Sequence, residues 1–401
     1  MSKVYIVAAR RTAVGSFMGS LSGAMARDMG VTVVKAALED ARVSPEQVDE
    51  LICGNILPAG LGQGIARQIA VGAGIPVEVC AYSLNMICGS GIKAVLNGVA
   101  GIKLGESDIV VAGGVENMSS APYLLPKETR KGIKMGAFQV QDHMVLDALT
   151  DAFDNVHMGV TAENIAVKYG ITREAQDAFA YASQQKAIKA VDEGAFDEEI
   201  VPIEVKIGRE MVTFARDEYP NRTTSPEKLA RLRPAFLKDG TVTAGNASGI
   251  NDGAAFLVLA GEKAVKELGL TPMAEIIATG QGGVEPSVMG LGPVPAIRQA
   301  LKRADMKLSE VELLELNEAF AAQSLGVLKE LSEEHGMSRE DILGRTNLFG
   351  GAIALGHPVG ASGARILVTL LHALRRIGRQ IGLAALCIGG GMGTAVIVRK
   401  V

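Results

Sequence analysis

Ala37-Leu38-Glu39-Asp40-Ala41-Arg42-Val43-Ser44-Pro45-Glu46-Gln47-Val48-Asp49-Glu50-Leu51 recurs as Ala300-Leu301-Lys302-Arg303-Ala304-Asp305-Met306-Lys307-Leu308-Ser309-Glu310-Val311-Glu312-Leu313-Leu314, with Leu38 falling on Leu301 and Val48 on Val311. Each copy reads as the end of a helix, a turn and the lead-in to a strand. The correspondence continues outward. A small-residue cluster around Cys88 and the helix after it lead into Asp108-Ile109-Val110-Val111-Ala112-Gly113-Gly114. A second cluster around His357, with the helix Ala364 to Arg376, leads into Leu383-Ala384-Ala385-Leu386-Cys387-Ile388-Gly389. Two halves therefore share one order of strands and helices. The second closes at once with the strand Thr394 to Val398, whereas the first reaches its counterpart, Ala254 to Leu259, only after about 130 further residues. Residues 119–249 are accordingly an insertion, helical from Ala162 to Val191 with Thr172 as N-cap, and basic and loop-rich from Lys206 to Lys238. The predicted division is an N-terminal half, 1–118, completed by 250–271; an inserted loop domain, 119–249; and a C-terminal half, 272–401. Alternating strands and helices place the chain in the α/β class, with mixed sheets covered by helices.

At 401 residues, 48% hydrophobic and 21% charged, the chain has the material for a large core. Its formal charge of −4 offers no overall attraction to nucleic acid or an anionic membrane. The four cysteines, at 53, 80, 88 and 387, read as reduced thiols of an intracellular protein, and no CxxC or paired-histidine spacing suggests a metal. Met1 to Ala9 reads as a buried strand rather than a signal peptide. No run of about 20 uninterrupted apolar residues argues for a membrane span, and Arg399-Lys400-Val401 is not a peroxisomal address. The expected location is the cytoplasm.

Chemistry concentrates in the glycine clusters. In Asn85-Met86-Ile87-Cys88-Gly89-Ser90-Gly91 a thiol stands where a strand gives way to a helix, beside free backbone N–H groups and the positive end of the helix dipole, which favour thiolate. Cys88 is therefore read as a nucleophile. His357, in Leu355-Gly356-His357-Pro358, has a loop setting that presents an imidazole as a base. Cys387 precedes Gly389-Gly390-Gly391 and is equally suited to packing and to catalysis. Cys53 and Cys80 read as core thiols, and His143, His335 and His372 as structural. His157-Met158 opens the helical part of the insertion, where a turn is the alternative to a functional role. Asn317, in Leu316-Asn317-Glu318-Ala319-Phe320, stands equally for a helix cap and for a catalytic amide. Gly113-Gly114 and Gly389–Gly391 lack the full dinucleotide-binding pattern and read as turns.

Taken together, these motifs resemble thiolases of the acetyl-CoA C-acetyltransferase type over essentially the whole chain, from Arg10-Arg11-Thr12 through Asn317-Glu318-Ala319-Phe320 to the last glycine cluster. The resemblance implies the thiolase fold, two similar βαβαβαββ halves with mixed sheets and buried helices plus the inserted loop domain. It implies that Cys88 is acylated, that His357 activates it, and that Cys387 is the acid/base at the α-carbon. Asn317 would position a water that, with His357, forms one oxyanion hole, and the N–H groups of Cys88 and Gly389 the other. Coenzyme A would be substrate and product, with no metal or other cofactor. His157 and Met158 would line the acyl pocket of a short-chain enzyme, and Leu149, Phe236, Ala244, Ser248, Met289, Ala319 and Phe320 the CoA channel. Two departures stand out: Asn221-Arg222 follows Pro220 where the family often has an arginine, leaving Arg222 as the contact to the nucleotide end, and Tyr123 replaces a common histidine. Partners implied are acyl-CoA molecules and three further copies of the chain, as a homotetramer, with no nucleic acid or membrane.

The rival functions are a broader-range 3-ketoacyl-CoA thiolase, a decarboxylating β-ketoacyl synthase, against which Cys387 argues, and a non-catalytic acyl-CoA or lipid carrier, which would have no use for the intact set.

Overall fold

The structure, a computed structural model, describes residues 3–401; Met1 and Ser2, the beginning of the expected first strand, lie outside the described residues. The N-terminal part runs β1 (Val4–Arg11), β2 (Gly15–Ser16), α1 (Ala26–Ala41), β3 (Glu50–Gly54), α2 (Ile65–Gly72), β4 (Cys80–Leu84), α3 (Ser90–Leu104) and β5 (Ile109–Asn117). The middle holds β6 (Tyr123–Leu124), β7 (Gln141–Asp142), α4 (Met158–Tyr169), α5 (Arg173–Asp192), β8 (Ile203–Ile207), β9 (Glu210–Phe214) and α6 (Pro226–Ala230). Then follow β10 (Asn251–Gly261), α7 (Glu262–Leu268), β11 (Ala274–Gly283), α8 (Pro293–Ala304), β12 (Leu313–Leu316), α9 (Ala321–His335), α10 (Arg339–Leu343), α11 (Ala352–Leu355), α12 (Val359–Ile377), β13 (Ile381–Ile388) and β14 (Met392–Lys400).

The main sheet has the order β12-β13-β14-β11-β1-β10-β5-β3-β4, with β2 on β10. Counted outward from its centre, β1-β10-β5-β3-β4 mirrors β11-β14-β13-β12, and a parallel bridge from Leu314 to Thr346 stands where the first half has β4. The likeness reaches the irregularities. A register shift interrupts β1 between Ile6 and Ala8 and β11 between Ile276 and Ala278. The matched helices α1 and α8 both end on a left-handed residue, Arg42 (φ 56°) and Asp305 (φ 51°). The halves meet edge to edge at Tyr5–Glu275 and Ile6–Ala274, so the mixed sheets of two halves run on as one sheet.

Helices α3 and α12 form the middle layer: Ile92, Val95 and Val99 pack with Ile366, Leu367 and Leu370 against strands of both halves. α1 and α2 cover the outer face of the first half, and α8 and α9 that of the second. The segment Ile87–Leu104 is long and apolar enough to cross a membrane by length and composition, but 56% of it is buried in the protein, and its apolar face is the one that α12 and the strands cover.

Two expectations change. Gly113 and Gly114 are not a turn but lie inside β5, where a Cβ would come 2.1 Å from the carbonyl oxygens of Ala255 and Gly360 respectively; what they provide is close backbone approach. Cys80 is exposed rather than in the core, because β4 is the outer strand of the sheet and lacks a covering layer on its free edge. In the insertion, helix formation breaks at Gly170, and Thr172 caps α5 by accepting the Ala175 N–H at 3.2 Å.

Candidate active site

Between β4 and α3 the chain turns through Ile87, whose φ of +46° is a costly conformation for a β-branched residue. Side chains hold the turn. Asn85 Oδ1 accepts the Ile87 N–H at 2.9 Å, while Ser90 Oγ accepts the Met86 N–H at 2.8 Å and donates to the Ile87 carbonyl at 2.7 Å. This elbow sets Cys88 just ahead of α3, part-exposed and packed beside Leu149 against Ile56, Leu57 and Val359. The sequence favours thiolate here, but desolvation outweighs the helix end: burial pushes the thiol up to about 11, against the N–H groups of Gly389 and Cys88 itself. Cys88 rests as a thiol and needs a base.

His357 lies between α11 and α12 and is buried. Its N–H donates to Asn251 Oδ1 at 2.9 Å. Ser362 Oγ sits 2.6 Å from Nδ1 and 2.9 Å from the Pro358 carbonyl. The single hydroxyl proton is used on that carbonyl, an acceptor only, so Nδ1–H donates to Ser362 and the lone pair is on Nε2. Nε2 is buried and has no hydrogen-bond partner among the described residues. Burial, with Arg365 as the second cause, lowers the imidazole to about 3, keeping it neutral across the physiological range.

Cys387 ends β13, buried against Met158, Met289, Ala319 and Phe320. Burial, then neighbouring Cys88, hold it above the ordinary thiol range. Gly389 follows in the turn to β14 and offers its N–H to Cys88. Asn317 extends the β12 ladder, donating its N–H to the Ala385 carbonyl at 3.0 Å. It caps no helix, since α9 starts at Ala321, and both its side-chain amide atoms are buried without partners among the described residues. Of the two readings left open by the sequence, the cap is removed.

Most of the expected channel residues gather at the same end. Phe236 stacks on His157 with ring centroids 4.6 Å apart and meets Phe320 edge-on at 6.1 Å. His157 is the N-cap of α4, its Nδ1 accepting the Gly159 N–H at 3.0 Å. Ser248 N–H donates to the Ala319 carbonyl at 2.9 Å. Arg222 stands apart, forked on Asp192 at 2.9 and 2.6 Å on the surface. With Ala244, Tyr219 and Asn221 it lines a separate cavity of about 660 Å³. Tyr123 lies exposed on β6.

Sequence reasoning missed the residues that hold this arrangement. Glu116 takes N–H groups from Ile56, Leu57 and Gly360 at 3.0, 3.1 and 3.0 Å and from Asn55 Nδ2 at 2.8 Å, while burial pushes its carboxyl up to about 7. An acidic residue directly after the apolar run Ile109–Val115 was the available signal. Glu318 joins Ser183 of α5 at 2.6 Å and Asn347 at 2.8 Å beneath the Asn317 loop.

Models of the thiolase N-terminal and C-terminal domains match residues 4–263 and 270–400. The acetyl-CoA acetyltransferase of Escherichia coli strain K12 is 51% identical over 400 residues, covering 100% of both chains. The cytosolic acetyl-CoA acetyltransferase of Rattus norvegicus is 51% identical over 399 residues, covering 99% of this chain and 98% of the relative. A solved structure of acetyl-CoA acetyltransferase from Syntrophomonas wolfei shares a TM-score of 0.97 and 44% identity, with 100% of each chain covered.

Proposed function

The chain belongs to the thiolase family, and from that premise we propose that it is an acetyl-CoA C-acetyltransferase joining two acetyl-CoA into acetoacetyl-CoA and CoA, and reversing the reaction by thiolysis. The observation that carries this reading is the pair of resting thiols, Cys88 beneath the Gly389 N–H and Cys387 beside it, with the free Nε2 of His357 available as a base.

In thiolysis Cys88 Sγ attacks the β-carbonyl while its proton passes to His357 Nε2. The bond between the α and β carbons breaks. Cys387 gives its proton to the α-carbon, and acetyl-CoA leaves. The Cys387 thiolate takes the proton of an incoming CoA thiol, whose sulfur attacks acetyl-Cys88, and the departing Cys88 sulfur recovers the proton from His357. Condensation is the reverse. A thiol held above the ordinary range suits Cys387 for delivering a proton to carbon. The N–H groups of Cys88 and Gly389 stabilise one oxyanion, and His357 with a water on the Asn317 amide stabilises the other. Coenzyme A enters as substrate, with no metal or further cofactor in the proposed steps. His157, Met158, Leu149, Phe236, Ser248, Met289, Ala319 and Phe320 line the channel; Ala244 and Arg222, which the resemblance implies as CoA contacts, line the other cavity.

Cytoplasmic location rests on relatives named as cytosolic. A homotetramer is supported by the uncovered β4 edge and by exposed apolar side chains in the insertion, among them Leu125, Met135 and Phe138. Light scattering at four times the chain mass is the expected result. For the activity, incubation with acetyl-CoA should release one CoA per site and leave an acetyl adduct on the Cys88 peptide. Label on another cysteine alone would end this assignment. Equal kcat/KM for acetoacetyl-CoA and a long-chain 3-ketoacyl-CoA would favour the broader-range thiolase.

A further inference from the structure

Helix α12 is buried along most of its length, yet Ser362, Arg365, Thr369 and His372 recur on one face at spacings of three and four residues. Three of the four have direct partners. Ser362 holds His357, Thr369 Oγ1 donates to Glu199 Oε1 at 2.9 Å, and His372 Nε2 lies 3.0 Å from the Ala9 carbonyl. Arg365 differs. It is 2% exposed, and among the described residues Nε, Nη1 and Nη2 all lack hydrogen-bond partners. Its facing carboxylate is Glu315, 1% exposed, at 4.0 Å from Nη1, and both Glu315 oxygens are unpartnered too.

A guanidinium and a carboxylate sealed in a core are tolerated only when their donors and acceptors are satisfied. At this distance a water lying beside the pair can hydrogen-bond to both groups. The surrounding charges point the same way: Arg11 is already committed to Glu199 and Asp217, and Glu318 to Ser183 and Asn347, while Lys186 donates to the Thr346 carbonyl.

The ion pair also sits at the root of two catalytic groups. Leu313 packs in the middle layer with α12, so Glu315 and Asn317, alternate residues along the same extended segment, face that layer as well. Arg365 is one turn along α12 from Ser362, the residue that fixes the His357 tautomer. The amide of Asn317 and Nε2 of His357 thus head two rows of side chains, the first continuing to Glu315 and the second through Ser362 to Arg365.

We propose that Glu315 and Arg365 are positioning residues for Asn317 and His357, acting through ordered water enclosed between the two charged side chains and reaching the Asn317 amide. This rests on the catalytic reading of His357 and Asn317 above. The pair touches no substrate; it sets where the water on the Asn317 amide stands and how the start of α12 is held.

The test uses the full chain with Arg365→Met, Arg365→Lys and Glu315→Gln, measuring CoA release from acetyl-CoA in a single turnover, steady-state kcat and KM, and thermal unfolding. Arg365→Met should slow acetylation and kcat by roughly 10²-fold with KM for acetyl-CoA nearly unchanged, as a displaced catalytic group does. Glu315→Gln should slow them about tenfold, and Arg365→Lys should recover most of the loss, since a cation that can hydrogen-bond water is restored. Should Arg365→Met not fold, Glu315→Gln decides: native kcat in that folded variant overturns the proposal. So does a lowered Tm with normal turnover, which is what a purely structural pair gives. A crystal structure resolving water bridging Glu315, Arg365 and Asn317 supports it, and a dry, directly bonded pair overturns it. Failure of the native chain to form acetyl-Cys88 removes the functional reading and this proposal together, whereas normal acetylation in every variant removes this proposal alone.

Discussion

The two halves of the molecule meet the same junction with different chemistry. Leu51 stands beside Val111 and Leu314 beside Leu383, which makes Val115 the counterpart of Cys387 and Asn117 that of Gly389. The middle helices cross with matching contacts: a Cβ on Gly91 would fall 2.6 Å from the Ala364 nitrogen, and one on Gly363 2.6 Å from that of Ile92. That symmetry sets Cys88 opposite Gly360. Each half's strand end therefore reaches the other half's helix start. In one direction the Gly389 N–H meets the Cys88 thiol; in the other, Glu116 Oε2 accepts the Gly360 N–H at 3.0 Å. One junction carries a reactive sulfur, and its twin a carboxylate that anchors the helix bearing His357. A duplicated scaffold thus yields a single site, because one copy of the contact is devoted to holding the other.

The largest effect should come from the reactive junction. Cys88→Ala should lower acetyl transfer and thiolysis by more than about 10⁴-fold while leaving the unfolding transition near native, because the acyl carrier is gone but the packing is kept. Substantial residual turnover would break the division of labour. Next, Cys387→Ala should still form acetyl-enzyme yet lose exchange of the acetyl methyl hydrogens of an acetyl-CoA analogue and lose condensation by roughly 10³-fold. Normal exchange in the folded variant would return Cys387 to a packing role like that of Val115.

The anchoring junction should respond in stability. Glu116 has its carboxyl raised by burial from 4.5 to about 7. Its contribution is therefore fully present below the unfolded value and fades as pH rises through about 7, by roughly 3 kcal/mol at most. Glu116→Gln should be less stable overall but flatter between pH 5 and 8 in chemical denaturation; an unchanged slope would show that another group, Asp252 at about 6 being the nearest candidate, sets it. The smallest effect should be Gly360→Ala, whose Cβ would fall 2.4 Å from Glu116 Oε2, a displacement worth about 2 kcal/mol. Its acetylation rate should fall with the folded fraction, since His357 depends on the start of α12.

What was legible in the sequence is what is local or repeated. The doubled helix-turn-strand, the two cysteines and His357 are each marked by glycines within a few residues, and the repeat carries the architecture from one half to the other. Asn317 was visible as a candidate but undecided, since only the start of α9 at Ala321 separates a cap from a free amide. Contacts made by closing the molecule left no local mark. Asn251 holds the His357 backbone and Ser362 its ring, yet Asn251 lies across most of the C-terminal half in sequence. The resting thiol of Cys88 was misjudged because helix-end electrostatics are local and readable, whereas desolvation by Leu57, Leu149 and Val359 belongs to tertiary packing. Gly113-Gly114 misled for the same reason: glycine signals a turn or a close approach, and only the arrival of Gly360 distinguishes them.

The place of β10 has a consequence for biosynthesis. This strand separates β1 from β5, which touch it on either side rather than each other, and it is translated about 130 residues after β5. At ribosomal rates of about 5–20 residues per second, the emerging first half waits roughly 7–27 s with β1 not yet joined to β5, β3 and β4. Until Gly261 has cleared the exit tunnel, the first half can pair no more than β5, β3 and β4, and β1 has no partner strand.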